Sequence, residues 1–179
     1  MRYGVEVQGI ERHGEDLIAH TATGDIAASK VLICTDWAAG ELLRPLGVDY
    51  PITGMPKEGF VTEATDRTIG PCLVSFRHDM FVNQVARGNI VAIPTRIRPD
   101  GDSFESTSDF LPFATRQLLD FMPRLAHLRV LRSWPGVISK TPDMQAVIGE
   151  TEQPNVFVAV SAYKGFMTSP AVGRIMAEM

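Results

Sequence analysis

Apolar and polar positions alternate from Tyr3 to Arg12, with Val5, Val7 and Ile10 on the apolar side, and this predicts a strand that His13-Gly14-Glu15-Asp16 ends in a turn. A return arm from Leu17 to Thr23 completes a hairpin, and Gly24-Asp25 turns the chain into Ile26 to Cys34. There the run Val31-Leu32-Ile33-Cys34 is apolar on both faces, the pattern of a buried, central strand in a parallel arrangement. Asp36 is positioned to cap a short helix from Trp37 to Arg44, closed by Pro45 and Gly47. Short strands follow at Gly59 to Thr62, Cys72 to Phe76, Met80 to Val85 and Asn89 to Pro94, with Arg87-Gly88 at a turn, and they pair most simply as an antiparallel meander.

After the polar loop Pro99-Asp100-Gly101-Asp102-Ser103 the period changes. Phe110, Phe113, Ala114, Leu118, Phe121 and Met122 recur at three- and four-residue spacing, which predicts one amphipathic helix with Ser108 as its cap, Pro112 in its first turn and Pro123 at its end. Leu128 to Val137 returns as a strand, Thr141-Pro142-Asp143 turns, and short strands follow near Ala146 to Ile148 and Val156 to Val160. The signals Ser169-Pro170 open a last helix. The expected class is α+β, with a mixed, largely antiparallel sheet and helices on one face.

Composition narrows the function classes. A chain of 179 residues, 45% of them apolar, is long enough for a real core. Its 17 basic against 21 acidic side chains give a net charge of -4, and the basic ones are scattered, so no nucleic-acid partner is expected. The apolar runs fall far short of the roughly 20 residues that cross a bilayer, so no membrane span is expected, and with no leader-like start the expected compartment is the cytoplasm. Cys34 and Cys72 form neither a disulfide framework nor a metal site and are expected as buried core thiols. His13, His20 and His127 have no metal-ligand spacing, and no Gly-x-Ser-x-Gly supports a hydrolase.

Four stretches, in order, resemble the FAD-dependent family of glycine, sarcosine and D-amino-acid oxidases and dehydrogenases. They are the hairpin Gly4 to Ile26 with Lys30-Val31-Leu32-Ile33-Cys34-Thr35-Asp36-Trp37-Ala38; Gly59-Phe60-Val61-Thr62-Glu63; Arg132-Ser133-Trp134-Pro135-Gly136 with Thr141-Pro142-Asp143 and Ile148-Gly149; and Val158 to Pro170 with Gly165-Phe166-Met167. The resemblance implies a D-amino-acid-oxidase-like fold: residues 1–50 a partial nucleotide-domain hairpin, strand and helix, 51–150 a substrate-binding antiparallel sheet, and 151–179 a strand and helix returning to the flavin side. It implies FAD as cofactor, a small amine or amino acid as substrate, and oxidation of a C–N bond. The sequence contains no Gly-x-Gly-x-x-Gly, the loop that lets backbone approach a pyrophosphate. The implied missing FAD-binding half, or a partner subunit, would supply it, and the fragment alone is expected to hold little FAD and to be inactive. The rival expectation is a noncatalytic binding or assembly module of a heteromeric oxidase.

The resemblance directs attention to two groups of residues. In Lys164-Gly165-Phe166-Met167-Thr168, backbone N–H groups ahead of a helix favour an anion, here the pyrimidine side of a reduced flavin, with Lys164 adding charge; a surface lysine before a capped helix is the alternative. Trp134 is placed as a wall that excludes water from the substrate, or equally as a core tryptophan. The D-amino-acid-oxidase branch places a carboxylate-clamping arginine where this chain has Ile138. Arg77, His78, Arg96 and Arg132 are the candidate substitutes, each also readable as a solvated charge. No catalytic acid or base is assigned.

Overall fold

The computed structural model describes residues 1–95 and 101–179. Arg96 and the Pro99-Asp100 start of the polar loop lie outside them. The chain divides into two compact units, Met1–Gly54 with Ile138–Met179, and Met55–Val137.

In the first unit the expected hairpin is β1 (Val7–His13) and β2 (Asp16–Thr21), joined by β3 (Ile26–Ala28) into an antiparallel sheet of order β1-β2-β3. The stretch Ile26 to Cys34 is not one strand: the chain leaves β3 at Ser29-Lys30 and resumes as β4 (Val31–Ile33) in a second sheet. There β4 runs parallel to β11 (Val156–Val160), which pairs antiparallel with β10 (Val147–Glu150). The parallel pairing agrees with the sequence pattern, the central position does not. Among the described residues β4 is an edge strand, and Leu32 is 50% exposed because nothing pairs beyond it. Ile10, Leu17, Ile33, Leu43, Val48, Val156, Val158 and Val160 form the core between these sheets and the short helix α1 (Ala39–Leu43).

Asp36 does not cap that helix. It stands at φ 52° at the start of a 3₁₀ turn, and its carboxylate instead accepts hydrogen bonds from the Ser139 N–H and Oγ–H. Gly47 does close the segment, at φ 80° with its N–H on the Arg44 carbonyl, a conformation that costs glycine little. Both cysteines are exposed, not buried: Cys34 just past the open β4, Cys72 in the loop before the next strand.

The second unit is a five-stranded sheet of order β6-β7-β8-β5-β9, built from β5 (Thr53–Ala64), β6 (Leu73–Ser75), β7 (Met80–Gln84), β8 (Asn89–Pro94) and β9 (Val130–Lys140). The β6-β7-β8 meander and the β5–β8 pair are antiparallel, as the turn residues predict. Helix α2 (Phe110–Phe121) covers one face, setting Phe110, Ala114 and Leu118 at four-residue intervals, with Met122 next, onto Phe60, Met80, Val82, Ile90 and Ala92. Phe121 packs at the margin of this cluster. Ser108 is not its cap; Asp109 holds the N-cap position without a side-chain capping bond, and the buried Glu58 carboxylate accepts the Thr107 N–H at 2.7 Å and Oγ1–H at 3.0 Å just before the helix. Pro123 ends the helix as expected.

The last helix, α3 (Gly165–Glu178), begins four residues before the predicted Ser169. Pro170 therefore lies inside it, where its missing N–H would orphan the Phe166 carbonyl; Ser169 Oγ–H donates to that carbonyl at 3.1 Å.

Candidate functional site

In the first unit, β11 runs into a tight loop. Ala162 and Tyr163 have φ of 36° and 71°, conformations that side-chain-bearing residues rarely adopt, and buried Ala162 anchors the turn. The turn aims the chain into α3. Lys164 N–H donates to the Ser161 carbonyl at 3.3 Å, and the Lys164 carbonyl accepts both the Thr168 N–H at 3.1 Å and its Oγ1–H at 3.0 Å. The Thr168 amide is therefore spent within the helix. The amides of Gly165, Phe166 and Met167 occupy the first-turn positions that have no intrahelical acceptor, where partial positive charge collects. Lys164 is exposed, and Phe166 and Met167 are 97% and 75% exposed. Donors next to an apolar shelf suit a flat, anionic ring edge.

In the second unit the sheet face opposite α2 carries Trp134. Its ring lies where a Cβ on Gly59 would stand, 3.0 Å from Trp134 Cζ2 and 3.1 Å from Ile93 Cγ1, so glycine at 59 is what lets the indole lie down on the sheet. Trp134 stays 36% exposed, and the Arg132 guanidinium stands 6.0 Å from its ring centroid. Lys57 is on the same face, two residues along β5 from Gly59. It is half-buried, burial holds its pKa below the usual lysine range, and its Nζ–H donates to the Thr95 carbonyl at 3.1 Å.

Arg77 and His78 are not part of this constellation. They lie in the β6–β7 turn, at the sheet edge away from β9, four strands and about 19 Å across at ordinary strand spacing. His78 hydrogen-bonds Ser75 Oγ through Nδ1 at 2.7 Å and stacks on Phe121 of α2 at 5.2 Å, which puts it on the covered face. The structure thus joins Trp134 with Arg132 and separates both from Arg77 and His78. Sequence reasoning missed Lys57 and the seat at Gly59, although alternation from Phe60, a core residue, already puts positions 57 and 59 on the other face. No group of His, Cys, Asp or Glu suited to a metal occurs among the described residues, and no described helix is long and apolar enough to cross a membrane.

Comparison with known proteins adds to this geometry. The family model described as FAD dependent oxidoreductase matches residues 1–179. Sarcosine oxidase subunit beta of Rhodobacter capsulatus is 25% identical over 181 residues, covering 97% of this chain and 42% of that protein. Glycine oxidase of Bacillus subtilis is 23% identical over 174 residues, covering 95% of this chain and 46% of its own length. Among solved structures, L-proline dehydrogenase from P. horikoshii superposes with a TM-score of 0.89 at 27% identity over 97% of this chain and 48% of that one. Glycine oxidase from Geobacillus kaustophilus gives 0.90 at 19% identity, a likeness of fold, over 97% of this chain and 47% of that one. The chain spans less than half the length of these relatives.

Proposed function

The chain belongs to the FAD-dependent oxidoreductase family, and from that premise we propose that it is the substrate-side part of a flavoenzyme that oxidises the C–N bond of a small amine or amino acid. The observation that carries the reading is the start of α3: three amides without intrahelical acceptors, beside Lys164, in a loop held by two strained residues. That donor set fits the edge of a flavin on which charge accumulates, and Lys164, Gly165, Phe166, Met167 and, through its side chain, Thr168 are its proposed contacts. FAD, when bound, supplies the two-electron acceptor. The contribution of this chain is to place the substrate and keep water away, with Trp134 as the proposed wall and Arg132 beside it. The substrate loses two electrons and two protons across its C–N bond, one proton with the electron pair from carbon and one from nitrogen, and water then hydrolyses the imine to a carbonyl compound and ammonia or an amine.

Among the relatives are a sarcosine oxidase subunit, glycine oxidases and a D-amino acid dehydrogenase, and the proposed substrates are of that size. Several relatives are named as subunits, which favours a partner chain here too, and a second reading in which this chain is a noncatalytic assembly module of a heteromeric oxidase. The test is product analysis with the full-length protein or its complex: sarcosine, glycine, L-proline and D-alanine are supplied in turn. A carbonyl product in stoichiometric yield from any of them supports the catalytic reading, and none from all four, with flavin bound, refutes it.

A further inference from the structure

At the amino ends of β4 and β11, the end of the first unit away from the start of α3, three connections of the chain meet around a cleft of about 510 Å³. That is within the range of about 300–1,000 Å³ usual for small-molecule sites. Arg12 reaches it from β1. It pairs with the core residue Leu17 and lies two residues from buried Ile10, so its side chain leaves the inner face of the β1-β2-β3 sheet. It crosses to the β10–β11 turn, where one guanidinium N–H donates to the Pro154 carbonyl at 2.5 Å. Lys30 enters from the bend between β3 and β4. Val31 pairs with Val156, which sets Lys30 level with Asn155 on the neighbouring strand, about 5 Å away, and the ammonium stands over the Phe157 ring at 5.5 Å. Asn155 stands at φ 65°, its N–H donating to Glu150 Oε1 and its carbonyl accepting from Val31. Its side-chain amide, like the Ser29 hydroxyl, forms no hydrogen bond among the described residues, and neither Arg12 nor Lys30 forms an ion pair among them. Of the carboxylates at the rim, Asp16 pairs with His13 and, next to core-facing Leu17, turns its side chain to the other face of the sheet, and Glu15 stands exposed in the turn.

We propose that Arg12, Ser29, Lys30 and Asn155 bind the phosphate group of a small polar molecule. Two unpaired cations supply the charge, and the hydroxyl and amide supply further donors, for a dianion whose three free oxygens outnumber the two of a carboxylate. Gly14 aside, every residue lining the cleft has a polar side chain, so an acyl chain finds no apolar wall there and a soluble phosphate ester fits better than a lipid headgroup. Glu15 offers an acceptor for a hydroxyl of the same molecule. The length of β11, about 17 Å, separates the cleft from Lys164 and the start of α3, so the site is distinct from the flavin contacts proposed above and stands without them.

The experiment measures the rate at which an amine-reactive ester acylates Lys30, by peptide mass spectrometry of the full-length protein, with and without glycerol 3-phosphate. The expected result is saturable protection of Lys30, about tenfold at a ligand concentration ten times the dissociation constant, with no such protection of Lys164. Glycerol, and acetate at equal ionic strength, should leave Lys30 unprotected. Arg12→Gln and Asn155→Gly should each weaken binding by about tenfold, as for loss of one charge-assisted hydrogen bond. The second variant keeps a residue that tolerates positive φ, so it decides the matter if the first unfolds. The proposal is overturned by acylation of Lys30 that glycerol 3-phosphate does not slow, by equal protection from acetate, or by protection that survives unchanged in the folded variants. Protection by phosphatidic acid vesicles but not by the soluble ester overturns it as well.

Discussion

At the scale of single residues, buried polar groups hold the irregular parts in place. Gln84, buried at the end of β7, accepts the Thr68 and Ile69 N–H groups at 2.8 and 3.0 Å and donates to the carbonyls of Thr65, Asp66 and Gly88. One side chain thus ties the 65–69 loop to the 85–88 turn. Gln84→Leu takes a partner from the buried Ile69 N–H and from part-buried backbone groups of Thr65, Asp66 and Thr68, and we expect a loss of about 2–4 kcal/mol in urea unfolding, at or above the 1–3 kcal/mol typical of one orphaned group. His20 provides a pH test. Its hydrogen bond to Asp25 at 2.9 Å, outweighing a little desolvation, raises its pKa, and Glu11 adds to this. A raised pKa in the folded state means stability that is complete below the ordinary value of about 6.5 and is lost as pH rises through the folded value. His20→Gln should therefore lower Tm only on the acid side, and an equal Tm difference at acid and alkaline pH would show that the ion pairs do nothing. Lys164→Met in the full-length enzyme should slow flavin reduction and lower the flavin potential, at about 1.5–3 kcal/mol or roughly ten- to a hundredfold in rate. Stopped-flow reduction and redox titration that match wild type would return Lys164 to an ordinary surface role.

At the scale of elements, α2 shows why periodicity was readable. Phe110, Ala114 and Leu118 repeat every four residues and are all buried, whereas Leu111 and Leu119 on the outer side are each 36% exposed. Leu118→Ala should cost about 2–5 kcal/mol, and Leu119→Ala well under 1, by thermal unfolding; similar losses would mean that the helix packs in another rotation. The start of α3 was misread for a physical reason. Ser-Pro is the usual opening of a helix, but Ser169 here repairs the carbonyl that Pro170 leaves unpaired, and that compensation is invisible in the sequence. Asp36 fails as a cap because it is drawn to Ser139, 103 residues away, and Ser108 because the helix starts one residue later, with Asp109 at the N-cap position. The apolar run Val31–Cys34 correctly indicated a parallel strand, yet the number of its neighbours depends on what lies beside it. The exposure of Cys34 follows from that open edge.

At the scale of the whole molecule, the order of strands and helices carried the family resemblance, and the match over residues 1–179 agrees with it. The site was only half legible. Trp134 and Arg132 could be read as neighbours because they share a strand, whereas the place of Lys57 on the same face runs through β5 and β8, which no sequence spacing encodes. Arg77 and His78 lie at the other edge of the sheet from Trp134, a separation that their spacing in the sequence does not reveal. FAD-dependent oxidation of a small amine or amino acid is the central claim, and anaerobic mixing of the full-length flavoprotein with sarcosine, glycine, L-proline and D-alanine tests it most directly. The account predicts that at least one of them bleaches the flavin absorbance in a single turnover, with saturation in substrate concentration. Flavin that is bound, reducible by dithionite and left oxidised by all four would contradict it.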